Sequence, residues 1–355
     1  MPKRRSFDEL DDAVEALLAD AQAPPPNLPA DAAALVRIAA ELRGLPSAAF
    51  KTRLRHELLS AAAGTDAAAN AGPPLLTMAD IDARLAELAA GPSFAAQDLR
   101  AALTDLPEMT MRFLASLNQC TLGVSRFSTG SHWERHPAAD ELLHVLEGEV
   151  DITTLTDDGP VESFVSAGSV FICPRGLWHR LTPRSPVSLF FATPGEGTEH
   201  SAAKVPRRRS TPGRRGGQRR RAPRPEKTGY DIRAALNSVP KLTITAQTTH
   251  AEADAAFRQL VTFNKCGLFV GRFSGQSPWE RHSGGDELLH ILDGEVDVTV
   301  LTDGGPVHRT VRGGSIFVCP QGLWHRQNAP RGVTALYATP TPSQISFAED
   351  PRAEG

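Results

Sequence analysis

The sequence predicts a mainly β protein, with two β-barrels or sandwiches in tandem behind a small α-helical N-terminal region. Three observations predict it. From about residue 98 the chain breaks into short β-branched runs separated by Gly, Pro and Asp, the texture of sandwiches and small barrels. That half is written twice: Leu114 to Pro194 aligns without a gap onto Leu260 to Pro340, with more than half of the positions identical. The chain before residue 98 lacks this texture and shows apolar residues at helical spacing instead.

The N-terminal elements come first. Ser6 and Glu9 in "SFDE" form a capping-box pattern, and Leu10, Val14, Leu17 and Leu18 recur behind it at helical spacing. The prolines of "APPPNLPA" break that helix, because they lack donors and clash with the preceding turn. "DAAALVRIAAELRGLP", "SAAFKTRLRHELLSAAA" and "TMADIDARLAELAAG" read as three more helices, the last ending at Gly91.

In the repeated half, "DLRAALTDLP" returns as "DIRAALNSVP", and all four Trp and all four Cys fall at paired positions. A repeat of about 80 residues exceeds the roughly 20–50 residues of a solenoid unit, so each copy reads as a whole domain. "EVDITTLTDDGPVESFV" is a hairpin with an Asp-Asp-Gly-Pro turn. "GSVFICPRGLWH" is a buried strand closed by a Pro-x-Gly turn, and "VSLFFATP" is another strand. The expected division is a helical segment over 1–62, a linker and helix over 63–97, a first barrel over 98–198, a disordered Arg/Pro/Gly-rich linker over 199–229, a second barrel over 230–343 and a disordered tail over 344–355.

Composition narrows the function classes. The 355 residues have room for about two or three domains, with ordinary hydrophobic (41%) and charged (22%) fractions. No apolar run approaches the roughly 18 residues of a membrane span. "MPKRRSFDELDD" has basic residues without an apolar stretch behind them, so no secretory signal is expected; with only four cysteines, the expected location is cytoplasmic. Residues 204–227 carry a net +10, which leaves −13 for the rest of a chain of net charge −3. This strip lacks aromatics for stacking on single strands. It reads as a solvated tether rather than a nucleic-acid contact.

The chemistry concentrates in "HWERHPAADELLHVLEGEV" (His132 to Val150) and "PWERHSGGDELLHILDGEV" (Pro278 to Val296). His136, Glu141 and Gly148, followed by Gly168, Pro174, Gly176 and His179, keep the spacing of the two motifs of the cupins, as do His282, Glu287, Gly294, Gly314, Pro320, Gly322 and His325. Each copy therefore resembles a cupin, a jelly-roll β-barrel, and the whole resembles a tandem bicupin. The resemblance implies metal ligands at His136, Glu141 and His179, and at His282, Glu287 and His325. Two departures stand out. The leading histidine of the family's His-x-His pair is Glu134 here and Glu280 in the second copy, each a candidate fourth ligand. The family's closing asparagine is Pro183 and Ala329.

The residues themselves are compatible with that implication. On a strand, residues two apart share a face, so Glu134 lies with His136 and Glu280 with His282. Two imidazoles and a carboxylate with open positions suit divalent Fe, Mn, Ni or Zn, and the extra carboxylate makes the set harder and favours Mn or Fe. His144 and His290 follow the glutamate by three residues and face the other way, toward solvent or an interface. Trp133, Trp178, Trp279 and Trp324 read either as barrel-end packing or as an apolar wall for a ligand. Cys173 and Cys319 read as small buried hydrophobes, and Arg135 and Arg281 as surface or interface residues.

Two functions follow. One is a metal-dependent enzyme on a small organic molecule, an oxidoreductase of dioxygenase type or an isomerase; the fold alone does not choose. The other is a metal-binding sensor or regulator of the anti-sigma kind, with a protein partner on residues 1–90; His56 is the only histidine before His132, so that segment has no Cys/His zinc pattern. Homo-oligomerisation fits either. Degenerate motifs of the seed-storage kind are not what these copies carry.

Overall fold

The computed structural model describes residues 94–206 apart from 196, residue 226, and residues 228–354 apart from 246. The predicted N-terminal helices and most of the basic strip lie outside the described residues. The fold is mainly β, built as two jelly-roll barrels.

The first copy opens with β1 (Gln97–Asp98) and helix α1 (Leu99–Leu103), followed by β2 (Thr110–Leu117), β3 (Cys120–Phe127), β4 (Trp133–Arg135) and β5 (Glu141–Glu147). The predicted hairpin is β6 (Glu149–Thr156) and β7 (Gly159–Ser166); β8 (Ser169–Cys173), β9 (His179–Pro183), β10 (Val187–Pro194) and β11 (Glu199–Ser201) complete the copy. The second copy starts at β12 (Tyr230–Asp231) and α2 (Ile232–Asn237). Its dozen extra residues form β13 (Leu242–Ile244) and α3 (His250–Ala256). Then come β14 (Phe257–Phe263), β15 (Cys266–Gln276), β16 (Trp279–His282), β17 (Glu287–Thr302), β18 (Gly305–Arg312), β19 (Ser315–Cys319), β20 (His325–Pro340) and β21 (Ser343–Ser346).

Local chemistry explains the element ends. Asp98 and Asp231 cap α1 and α2, each carboxylate accepting from the backbone N–H three residues on, at 2.9 and 2.8 Å. Gly148 turns β5 into β6 with φ +86°, and a Cβ there would meet the Pro186 carbonyl. Two stretches differ from the expected division. Glu199–Ser201 pairs with β4, and β21, whose last three residues (344–346) the sequence assigns to the tail, pairs with β16; residues 199–201 are assigned to the linker. Both are short and polar, and they are ordered by backbone pairing to a sheet edge, which composition does not reveal.

In the first barrel, one sheet runs β12-β8-β5-β10-β3-β2 and the other β11-β4-β9-β6-β7. The space between them is filled by Leu143, Val145, Ile152, Phe171, Leu189 and their neighbours, all buried. In the second barrel β17 and β20 run on from one layer into the other with shifts in register, so the two layers count as one sheet.

Alternate residues of the same strands point out of each barrel and form a shared core. Leu122, Val124, Leu142 and Phe190 of the first copy cluster with Leu268, Val270, Leu288 and Leu336 of the second. The copies also exchange their leading segments. β1 pairs with β19 of the second barrel and β12 with β8 of the first. Leu99, Ala102 and Leu103 of α1, and Ile232 and Ala235 of α2, are thereby buried in that shared core.

His144 and His290 sit in this interface, both buried, with ring centroids 5.1 Å apart. Of the two places the sequence allowed them, the structure selects the interface. Burial pushes His144 down to about 4, and burial and then His144 push His290 well below its ordinary value. The unfolded rings titrate near pH 6.5. The neutral pair is therefore fully stabilising above that pH, and its contribution is lost as pH falls from about 6.5 toward 4, because the unfolded chain then binds protons the folded chain refuses. We expect unfolding free energy to fall by up to about 1.4 kcal/mol per pH unit for each ring across that window. A His144→Leu/His290→Leu variant is expected to show a flatter dependence by urea denaturation between pH 7 and 5. Equal slopes for parent and variant would contradict this assignment.

Candidate metal centres

Each centre is assembled from a strand pair and two flanking positions. Glu134 of β4 lies directly opposite His179 of β9, and Glu280 of β16 opposite His325 of β20. His136 follows β4, and Glu141 opens β5. The alternation of β4 and β9 turns Glu134 and His179 inward and Trp133, Arg135, Trp178 and Arg180 outward.

All four sequence-derived candidates of each copy come together. The donor atoms of Glu134, His136, Glu141 and His179 lie within 4.8 Å of one another, as do those of Glu280, His282, Glu287 and His325. In the first centre Glu141 Oε2 is 3.1 Å from His179 Nε2 and 3.4 Å from His136 Nε2; Glu134 is 3.7 and 4.0 Å from the same rings. In the second, the corresponding distances are 3.0, 3.5, 3.6 and 3.8 Å. Three of the four side chains are buried, and Glu134 and Glu280 keep 24% of theirs exposed.

The surroundings orient these donors. His179 Nδ1 faces the Leu177 carbonyl at 3.3 Å, and His325 Nδ1 the Leu323 carbonyl at 3.2 Å. A carbonyl only accepts, so Nδ1 carries the hydrogen and Nε2 is turned to the centre. His136 Nδ1 is 3.0 Å from the Thr198 hydroxyl, which itself donates to the Pro194 carbonyl, so here too Nδ1–H is the donor. Ser343 holds His282 Nδ1 at 3.0 Å. The far oxygen of Glu141 accepts from Thr193, and that of Glu287 from Thr339 at 2.6 Å.

Electrostatics follow from this packing. Burial pushes the Glu141 carboxyl up, but the adjoining His136 and His179 outweigh it and hold the group well below the carboxylate range. Glu287 is likewise drawn down to about 2 by His282 and His325 against its burial. His179 is raised well above its ordinary value: burial opposes this, while the ionised Glu141 carboxylate beside its Nε2 favours the charged ring. Glu134 is raised, first by burial and then by Glu141, with the histidines opposing.

These residues fit a divalent cation. His136 Nε2 and His282 Nε2 are buried without a hydrogen-bond partner, which is costly for a polar atom unless something else meets it. Each ring aims that atom at two carboxylates and a second imidazole. Cys173 and Cys319 are free and buried but lie outside the donor groups; burial first pushes the Cys173 thiol up to about 12.

Of the two readings of the tryptophans, the contacts support packing: all four are buried, and Trp279 and Trp324 cluster with Leu301. On the outer face Arg180 stacks over Trp133 and Arg135 over Trp178, each at 4.8 Å, and Arg326 over Trp279 and Arg281 over Trp324 at 4.3 and 4.6 Å. Arg135 is mostly buried and paired to Glu199 at 2.5 Å, so it is less exposed than a surface residue. Four supporting hydroxyls escaped the sequence reading. Thr193 and Thr339 occupy matched positions in the repeat and were legible there; Thr198 and Ser343 lie beyond a one-residue difference in length, where ungapped alignment stops.

A Cupin domain model matches residues 121–193 and a Cupin model matches residues 262–345. Germin-like protein subfamily 2 member 4 of Arabidopsis thaliana is 28% identical over 108 residues, 28% of this chain and 49% of that protein, so the match spans about half of that relative. Among solved structures, the Cupin 2 conserved barrel domain protein from Leptotrichia buccalis is 12% identical with a TM-score of 0.41, covering 70% of this chain and 96% of that one. Oxalate decarboxylase of Bacillus subtilis, described with Mn(II) centres, is 14% identical with a TM-score of 0.47, covering 79% and 88%.

Groups that orient metal-bound histidines typically contribute about 10–100-fold to affinity. Thr198→Ala and Ser343→Ala are expected to weaken binding by that order, each at its own centre, when Mn(II) is titrated against a competing chelator. Unchanged affinity would remove both hydroxyls from the centres.

Proposed function

We propose that the two tandem cupin domains of this chain each hold one divalent transition metal, and that the protein acts there on a small organic molecule. The observation that carries the reading is the buried Nε2 of His136 and of His282, which makes no hydrogen bond although it faces two carboxylates and a second imidazole. Two histidines with two carboxylates form a hard, anionic set, which favours Mn or Fe over Zn or Ni. When bound, such an ion supplies Lewis-acid polarisation of an oxygen ligand.

The chain's own residues account for the rest. The Leu177 and Leu323 carbonyls, with Thr198 and Ser343, fix the rings. Thr193 and Thr339 fix one oxygen of each buried glutamate and leave the other for the centre. Glu134 and Glu280 stand on the partly exposed side, so a ligand arrives past them, while the other three donors are closed off from water. The reaction class that suits this arrangement is an oxidation of dioxygenase type or an isomerisation. Among the described residues no helix is long and apolar enough to cross a membrane.

Elemental analysis of full-length protein purified without chelator tests the reading. Two equivalents of Mn or Fe per chain are expected in the parent, and none in a His136→Ala/His282→Ala variant. That variant is expected to stay folded by circular dichroism, because the barrel cores are aliphatic and aromatic and contain neither histidine. A parent without metal sinks the proposal. Turnover of a small organic acid by the loaded protein supports the enzyme; metal-dependent capture of a protein partner with no turnover supports the sensor.

A further inference from the structure

We propose that the two centres take different ligands: the first a short organic anion gripped at its outer end by His200 and His132, the second a ligand with no such anionic end. This rests on reading both clusters as metal centres. β11 and β21 play the same part in their barrels. Thr198 and Ser343 hold the ring of His136 and of His282. Glu199 pairs with Arg135, and Gln344 accepts from Arg281 at 2.8 Å. Ser201 and Ser346 stand opposite Trp133 and Trp279. Between these matched positions one breaks the match: His200 lies opposite Glu134, where Ile345 lies opposite Glu280.

Directly opposed residues of an antiparallel pair share a face with Cβ atoms about 4.5–5.5 Å apart, so His200 stands on the side of Glu134 that faces the centre. His132 precedes Glu134 by two residues, so along an extended chain it shares that face; the His200 imidazole is lowered first by partial burial and then by His136. His132 and His200 are exposed: the His132 carbonyl accepts from Ser131 at 2.8 Å and the His200 backbone pairs with Glu134, which leaves the two imidazoles to face groups arriving from outside. Their N–H groups can meet a carboxylate whose other end reaches the centre. The second centre has Pro278 in place of His132, with no side-chain donor, and aliphatic Ile345 in place of His200. The interiors differ too: Tyr337 donates to Gln327 at 3.3 Å where the first barrel has Phe191 and Leu181.

Full-length single-centre proteins test this, His282→Ala keeping the first centre and His136→Ala the second. Each is loaded with Mn(II), assayed for metal and titrated calorimetrically with malonate. Malonate is expected to bind the first-centre protein at least about tenfold more tightly, the scale of one hydrogen bond to a charged group. His200→Ile, which installs the residue the other copy already tolerates, is expected to remove that advantage, and Ile345→His to raise affinity at the second centre. Equal affinities, no malonate binding at either centre, or an unchanged constant in His200→Ile overturns the proposal while leaving the metal reading intact. Failure of both proteins to retain Mn(II) overturns the metal reading, and this proposal with it.

Discussion

A carboxylate buried in an apolar barrel has to be neutralised, and Glu141 and Glu287 impose that condition on everything around them. A lone buried charge is costly, and a paired one is tolerated only with its oxygens satisfied. Here each carboxylate has a threonine hydroxyl on one oxygen and two imidazoles facing the other. The rings are in turn fixed through Nδ1 by carbonyls and hydroxyls. The same donor atoms, all within 4.8 Å of one another, are the ones the proposed metal ion would join.

The strands that carry these carboxylates are also held from outside their own barrels. Asp140, one residue before Glu141, donates its N–H to Asn264 of the second barrel at 2.7 Å and accepts from the Arg175 N–H at 2.7 Å. Asp286, before Glu287, does the same with Asn118 and Gln321. Both asparagines adopt φ +54°, a conformation Asn tolerates better than most residues. Together with the exchanged segments β1 and β12, these clamps make each barrel part of the other's support. The duplication is therefore structural as well as chemical: one copy helps hold the strand that carries the other copy's buried glutamate.

Much of this is legible in the residues. The hairpin, the buried strand before the Pro-x-Gly turn and the two matched ligand sets follow from alternation, turn chemistry and a repeat kept in register. The outward facing of His144 and His290 follows from strand parity. What covers them does not, since that is a property of the other barrel. The exchanged segments are equally invisible, because "DLRAAL" and "DIRAAL" look alike whichever barrel they pair with. β11 and β21 escape because a three- or four-residue polar edge strand has no periodicity to detect. The tryptophans could be placed only once the pairing of Glu134 with His179 showed which face they occupy.

The most direct test of the account is an anomalous-scattering map, recorded at the absorption edge of the metal found in crystals of full-length protein grown without chelator. Two peaks are predicted, one among Glu134, His136, Glu141 and His179 and one among Glu280, His282, Glu287 and His325. Absence of peaks at both places, with the glutamates hydrogen-bonded directly to the histidines, would contradict it.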